Sequence, residues 1–244
     1  MGMTKIIPAV VIVVWLMAGG CTEQRDPPRK PGAAATGATS QPGAATAPVA
    51  AAVGPVLYRS DFSQTAVGKV PEDMMVLGGD FAVRAIDGKK VLELPGEPLE
   101  TFGVLFGPTR VDGLAVAARV YGVAKGRRYP TFGVGVGGVG GFKVQVAPGR
   151  KTLELLKGDE SVASVSYTWT PGTWTSVALQ VRQVAPGRWR AEGKAWPAES
   201  AEPSEWMVRA EDTTAPPSGR PSLWGLPYSE QPIEYDELVV TAAR

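Results

Sequence analysis

Short runs of alternating apolar and polar residues cover the chain from Val56 onward, and turns rich in Gly and Pro separate them. Residues 114–121 place apolar side chains at every second position, and residues 174–182 repeat the pattern. A period of two is typical of a β-strand with one buried face. We therefore expect these side chains to point into a core: Leu114, Val116, Ala118, Val120, Val177, Leu179 and Val181.

The turns between the runs predict hairpins. Asp87-Gly88 lies between two apolar runs, and this pair favours a two-residue type I′ turn because Gly accepts a positive φ. Pro148-Gly149 and Pro186-Gly187 mark two more hairpins. No stretch after residue 56 has a helical period, and we count about 12–14 strands. The sequence predicts an all-β fold, a two-sheet antiparallel sandwich of jelly-roll type.

Residues 1–20 have the pattern of a signal segment. Lys5 precedes an apolar run of about a dozen residues, which suits a signal peptide better than a membrane span. The run ends in Ala18-Gly19-Gly20-Cys21, which resembles the lipobox of bacterial lipoproteins. That resemblance implies a lipidated Cys21 at the mature N-terminus. In such lipoproteins a residue other than Asp after the Cys, here Thr22, implies sorting to the outer membrane. An ordinary secretory signal and an uncleaved anchor are the alternatives.

A tether is predicted for residues 21–55. Ala, Pro, Gly, Thr and Ser dominate this stretch, and it lacks aromatic residues, Leu and Ile. Such a composition cannot bury enough apolar surface to offset chain entropy, which is typical of disorder. The predicted organisation is a lipoprotein signal peptide at 1–20, a disordered tether at 21–55 and a β-sandwich at 56–244.

Charge and residue usage narrow the chemistry. Of the 244 residues, 25 are Lys or Arg and 24 are Asp or Glu, so the net charge of +1 gives no general attraction to nucleic acid. The chain has no His and a single Cys, which excludes His-based catalysis, the common zinc sites and an intrachain disulfide. The sequence predicts no cofactor.

Three segments of the predicted sandwich resemble concanavalin A-like (laminin G-like) jelly rolls. They are the opening VLYRSDFS with Gly68 and Pro71, the run from Lys194 to Trp206, and the closing PIEYDELVV. The resemblance implies that the first and last strands pair, which would bring Asp61 near Asp236. Its family includes lectins, glucanases and many uncharacterised secreted modules.

One predicted strand face combines charged side chains with an aromatic ring. It carries Arg190, Glu192, Lys194 and Trp196, and Gln180 and Arg182 lie beside it if the preceding strand pairs with it. A ring near hydrogen-bonding groups suits a sugar, because CH groups contact the ring while hydroxyls meet the polar groups. We expect these six residues to bind ligand. The alternative is that Trp196 and Trp206 pack a loop against the sandwich.

The acidic residues do not form a complete catalytic pattern. Glycanases with the concanavalin A-like fold use three carboxylates on one strand face. Glu234 and Asp236 share a face here, but the next position is Leu238, so the third carboxylate is missing. We expect Tyr235 and Val239 to be buried and the acids to be solvated. Asp61, Asp236 and Glu237 could together bind Ca²⁺, since hard oxygen ligands suit that ion.

Together with these patterns, the resemblance to bacterial lipoproteins implies a lipid-anchored protein of the bacterial cell envelope at the outer membrane. Its non-catalytic jelly-roll module would bind glycan or an envelope partner, and the lipid would hold it to the membrane. A glycoside hydrolase of the glucanase-like class and a purely structural assembly role are the two alternatives.

Overall fold

The computed structural model describes residues 54–243, so the predicted signal segment, Cys21 and most of the tether lie outside the described residues. Residues 54–243 form fifteen β-strands and contain no helix, hence none that could cross a membrane. The strands are β1 Val56–Ser60, β2 Met75–Gly78, β3 Ala82–Ile86, β4 Lys89–Leu94, β5 Phe102–Leu105, β6 Leu114–Tyr121, β7 Thr131–Val136, β8 Phe142–Ala147, β9 Thr152–Lys157, β10 Glu160–Ser166, β11 Thr175–Ala185, β12 Arg188–Pro197, β13 Val208–Asp212, β14 Ser222–Leu226 and β15 Ile233–Ala242.

The strands form two antiparallel sheets. Sheet A has the order β13-β12-β11-β6-β15-β4-β3, with β1 also paired to β15, and sheet B has the order β10-β9-β8-β7-β14-β5-β2. The predicted two-sheet antiparallel sandwich is confirmed. Its strand count exceeds the predicted one because strands such as β2 and β5, at four residues each, are too short to display alternation.

The hydrophobic core lies between the inner faces of the two sheets. All seven residues predicted to point inward from β6 and β11 are fully buried. They meet buried residues of sheet B, including Val134, Val144, Leu153, Leu155 and Leu223. Each buried Val or Leu side chain contributes about 1.5–3 kcal/mol relative to an exposed one, so the alternation specifies which face of each strand turns inward.

The predicted hairpins form where the turn residues allow them. Asp87 and Gly88 have φ angles of 47° and 81°, and Ile86 pairs directly with Lys89 across the turn. Both central residues of a type I′ turn need positive φ, so the Asp-Gly pair has the required conformation. Pro148-Gly149 joins β8 to β9, and Pro186-Gly187 joins β11 to β12.

The first and last strands pair, as the resemblance implies. β15 pairs with β4 over its first three residues and with β1 over its last part, with Ser60 opposite Leu238. A bulge between Asp236 and Val239 marks the exchange of neighbours, and Glu237 has a φ of 48° there. The bulge lies in the ladder with β6, at the residues where the opposite edge of β15 passes from β4 to β1.

Candidate functional site

The six residues predicted to bind ligand come together on the outer face of sheet A. β11 pairs with β12 so that Gln180 lies opposite Glu192 and Arg182 lies opposite Arg190. Lys194 and Trp196 continue along the same side of β12, as the alternation predicts. The juxtaposition inferred from the sequence is therefore present.

These side chains are occupied by contacts with one another. Glu192 is 2% exposed. Its carboxylate lies 3.4 Å from Nη2 of Arg182 and 3.6 Å from Nη2 of Arg209, and Nε2 of Gln180 donates to it at 3.4 Å. At the sheet edge, Arg190 pairs with Glu211 at 2.6 Å. Most of the polar groups of these six residues are therefore engaged within the protein, although the buried Nε of Arg182 has no hydrogen-bond partner.

The segment 198–207 covers the remaining part of that face. Trp206 packs against Trp196, which is 5% exposed. The ammonium of Lys194 lies 4.7 Å from the Trp206 ring centroid and 2.7 Å from the Glu202 carboxylate. These contacts agree with the alternative of loop packing. Ligand binding by the six residues stays a prediction, and it would require the 198–207 segment to move aside.

The outer face of sheet B presents a tryptophan that the sequence interpretation did not single out. Trp224 in β14 is partly exposed and lies between Gly103 of β5 and Gly133 of β7 in the strand register. A Cβ atom added at Gly103 would lie 2.8 Å from the Trp224 ring, so the indole rests directly on the glycine. Its Nε1 donates to Ser222 Oγ at 2.8 Å, and Lys143 Nζ lies 4.6 Å from the ring centroid.

Two adjoining cavities run along this face from Trp224. One of about 220 Å³ is lined by Trp224 and Gln145, and one of about 260 Å³ is lined by residues at the loop end of the sheet. Both cavities are lined by Thr131, Arg150 and Leu226. We call the pair of cavities the sheet B groove. The residues that line its loop end include Arg127, Tyr129 and Tyr228.

A carboxylate beside the groove organises its donors. The two oxygens of Glu154 accept two hydrogen bonds from Arg150, each at 2.6 Å, one from Gln145 at 2.9 Å and one from Thr152 at 2.7 Å. Hydrogen bonding by Arg150 is the largest cause that lowers the pKa of Glu154 to about 2. The carboxylate is therefore charged at neutral pH. It fixes the guanidinium of Arg150, whose side chain is 62% exposed.

A separate cavity of about 470 Å³ lies at the bulge of β15. It is lined by Asp61, Asp236 and Glu237 together with Lys89 and Lys90, so the predicted proximity of Asp61 and Asp236 is confirmed. Tyr235 and Val239 are buried as expected, whereas the expectation of solvated acids is wrong for Asp236, which is 9% exposed. Asp236 lies at the start of the bulge in the ladder with β6, opposite Arg119.

The environment shifts the pKa values of the two aspartates that line this cavity in opposite directions. Burial, and then the charge of Glu237, raises the pKa of Asp236 to about 6 against a hydrogen bond from the Glu237 backbone. Hydrogen bonds from the side chain and backbone of Ser63 lower the pKa of Asp61. Residues 54–243 contain no group of three acidic or other ligating side chains that could hold a metal ion, so the calcium hypothesis has no geometric support there.

Comparisons with known proteins identify the fold. No protein-family model matches the chain, and no curated protein matches it in sequence. The carbohydrate recognition domain of Emp46p in its metal-free form is similar, with a TM-score of 0.52 and 10% identity over 78% of this chain and 96% of that domain. The predicted jelly-roll sandwich is confirmed.

Two bacterial enzymes contain a region with the same fold. A xylan β-1,4-xylosidase from Bacillus halodurans C-125 matches with a TM-score of 0.50 and 12% identity, over 75% of this chain and 38% of that enzyme. The GH43 protein BlXynB from Bacillus licheniformis matches with a TM-score of 0.50 and 10% identity, over 75% of this chain and 39% of that one. At these identities the likeness extends to the fold alone.

Proposed function

We propose that this chain is a lipid-anchored protein of the bacterial cell envelope whose sandwich domain binds glycan without cleaving it. The lipid is attached to Cys21 after removal of residues 1–20, residues 21–55 form the tether, and residues 56–244 form the binding module. The observation that carries the proposal is the sheet B groove, where an accessible tryptophan adjoins oriented hydrogen-bond donors.

The groove has the two components that sugar binding needs. The ring of Trp224 offers an apolar surface for the CH groups of a pyranose. Arg150 and Gln145, held in place by Glu154, offer donors to ring hydroxyls without first having to be ordered. The fold likeness to a carbohydrate recognition domain makes glycans the first ligand class to test.

Glycan binding by wild-type protein and three variants on an array of bacterial and plant polysaccharides tests the proposal. We expect Trp224→Ala to weaken binding about tenfold or more. A nucleic-acid base stacked on an aromatic side chain contributes about 1–3 kcal/mol, and a sugar ring presents a face of similar size. Trp196→Ala and Arg190→Ala report on the face predicted from the sequence. Thermal melting of each variant separates lost contacts from lost folding.

The pattern of losses decides between the faces. Loss in Trp224→Ala with retention in Trp196→Ala and Arg190→Ala supports the groove. The reverse pattern assigns binding to the outer face of sheet A. Absence of binding by the wild-type protein contradicts the proposal and favours the assembly role, for which crosslinking in cells would identify the protein partner.

The proposed anchor has its own test. In a bacterial host, labelled palmitate should be incorporated into the wild-type protein and not into Cys21→Ser. The wild-type protein should also fractionate with membranes, because several acyl chains give stable anchoring, and with the outer membrane in particular, because Thr22 and not Asp follows Cys21. Equal labelling of the two proteins would refute lipidation at Cys21.

The cavity at the β15 bulge favours hydrolysis as a second candidate function. A carboxyl with a raised pKa beside one with a lowered pKa is the arrangement that acid–base catalysis uses. Under this hypothesis Asp236 donates the proton and Asp61 acts as the ionised partner. Release of reducing sugar by the wild-type protein, abolished in Asp236→Asn and unaffected in Trp224→Ala, would support it. Lack of release from every polysaccharide that the protein binds would exclude it.

A further inference from the structure

We propose that the sheet B groove selects acidic glycans, with Arg127 and Arg150 receiving the carboxylate of a uronic acid residue. The inference rests on the proposed function and specifies its ligand class. It follows from the charges, the free donors and the dimensions of the groove.

Arg150 is a positioned donor with unused hydrogen-bonding capacity. Its Nε and Nη2 atoms donate to Glu154, and no hydrogen bond within residues 54–243 uses Nη1. The two-point contact with Glu154 fixes the plane of the guanidinium, while the exposed side chain lines both cavities of the groove. A planar guanidinium with free N–H groups matches the geometry of a carboxylate.

Arg127 provides a second cation at the loop end of the groove. Its neighbours Lys125 and Arg128 both pair with Glu230. Arg127 is exposed, lines the cavity, and has no carboxylate partner among the residues that the structure describes. The cation that is left without a partner is thus the one that faces the cavity shared with Arg150.

Both charged side chains that line the groove, Arg127 and Arg150, are cations. The carboxylate beside them, Glu154, already accepts from Arg150, Gln145 and Thr152 with both of its oxygens. The hydroxyls of a neutral sugar also accept hydrogen bonds, but a uronate adds a charged acceptor, which makes the stronger bond to an arginine. The available chemistry therefore favours an anionic ring.

The size of the loop-end cavity suits one sugar residue. Its volume of about 260 Å³ falls just below the range of about 300–1,000 Å³ found for drug-sized ligands. Tyr129 and Tyr228 line it beside the two arginines, and Tyr228 is 49% exposed. A uronate held here would leave the adjoining cavity at Trp224 for the next residue of the chain.

A pair of polymers that differ only in charge tests the inference. Polygalacturonate and its carboxyl-reduced counterpart have the same linkage and backbone. By affinity electrophoresis and calorimetry, the full-length protein should bind the acidic polymer about tenfold more tightly, as charge-assisted contacts are the stronger ones. Arg127→Gln and Arg150→Gln should each weaken binding of the acidic polymer more than binding of the reduced polymer, and so lower that preference. Arg188→Gln is the matched control, because Arg188 is an exposed arginine at the edge of sheet A.

Each remaining outcome contradicts a definite part of the argument. Equal affinity for the two polymers, or binding of neither by a protein that binds a neutral glycan, overturns the acidic preference and leaves the proposed function standing. An acidic preference that survives both Arg127→Gln and Arg150→Gln overturns the assignment of the two arginines. Failure to bind any glycan overturns the inference and the proposed function together.

Discussion

Replacing Asp236 by Asn should stabilise the protein at neutral and alkaline pH. The carboxyl is 9% exposed at the β15 bulge, and burial there raises its pKa to about 6. Asn has nearly the same shape, and its amide oxygen can still accept the hydrogen bond that the Glu237 backbone donates to Asp236 at 2.7 Å. The substitution therefore removes a titrating group while it preserves the local packing.

The sign and size of the effect come from the proton carried by each state. The unfolded chain loses the Asp236 proton near pH 3.8, whereas the folded protein keeps it until about pH 6. Because the folded state binds more protons between these values, its stability falls as the pH rises through them. The difference in pKa sets an upper limit of about 3 kcal/mol. Because Asp236 borders a cavity that is also lined by Lys89 and Lys90, its charge is partly screened, and we expect about 1–2 kcal/mol.

Urea unfolding at about pH 4 and about pH 8 measures this effect. Relative to wild type, Asp236→Asn should gain about 1–2 kcal/mol between the two conditions. Asp61→Asn is the control with the opposite sign, because a lowered pKa gives stability that is present at high pH and is lost as the pH falls. If Asp236→Asn changes stability equally at both pH values, the buried titrating carboxyl does not exist as described.

Three further substitutions test the groove and its surroundings. Gly103→Ala places a methyl group 2.8 Å from the Trp224 ring, so it should lower the free energy of unfolding by about 1–3 kcal/mol. It should also weaken glycan binding measured by calorimetry. Unchanged binding would contradict the role of the flat indole. Glu154→Gln releases Arg150 and should weaken acidic-glycan binding about tenfold, which the polymer pair detects. Trp206→Ala should destabilise the protein by about 1–3 kcal/mol and leave glycan binding unchanged; weaker binding would return the site to sheet A.

Local sequence patterns were sufficient to predict the two-sheet sandwich. Alternation identified the inward faces of β6 and β11, because each depends only on which side of a strand is buried. Asp87-Gly88 identified its hairpin because two adjacent residues determine that turn. The pairing of β1 with β15 came instead from resemblance, since no local rule links strands at opposite ends of the chain.

The candidate site depended on contacts that alternation does not contain. The Trp224 platform needs Gly103 and Gly135, where an added Cβ would lie 2.8 Å and 3.1 Å from the indole, and these glycines come from strands distant in sequence. Alternation placed Trp196 correctly on an outer face but carried no information on whether a loop covers that face. A pattern of period two distinguishes the inward face of a strand from its outward face. Whether a side chain on the outward face is accessible depends on the loops that pack over the sheet.

The pairing of β1 with β15 also limits where the chain can be cut. Residues 56–60 occupy one edge of the last strand, and the Pro55 carbonyl accepts a further hydrogen bond from Ala242 at 3.1 Å. A proteolytic nick or a shortened version starting after Ser60 would expose a row of unsatisfied amides, which favours edge-to-edge association with other chains. A soluble version of the domain therefore needs to begin upstream of Pro55, even where the tether itself is dispensable.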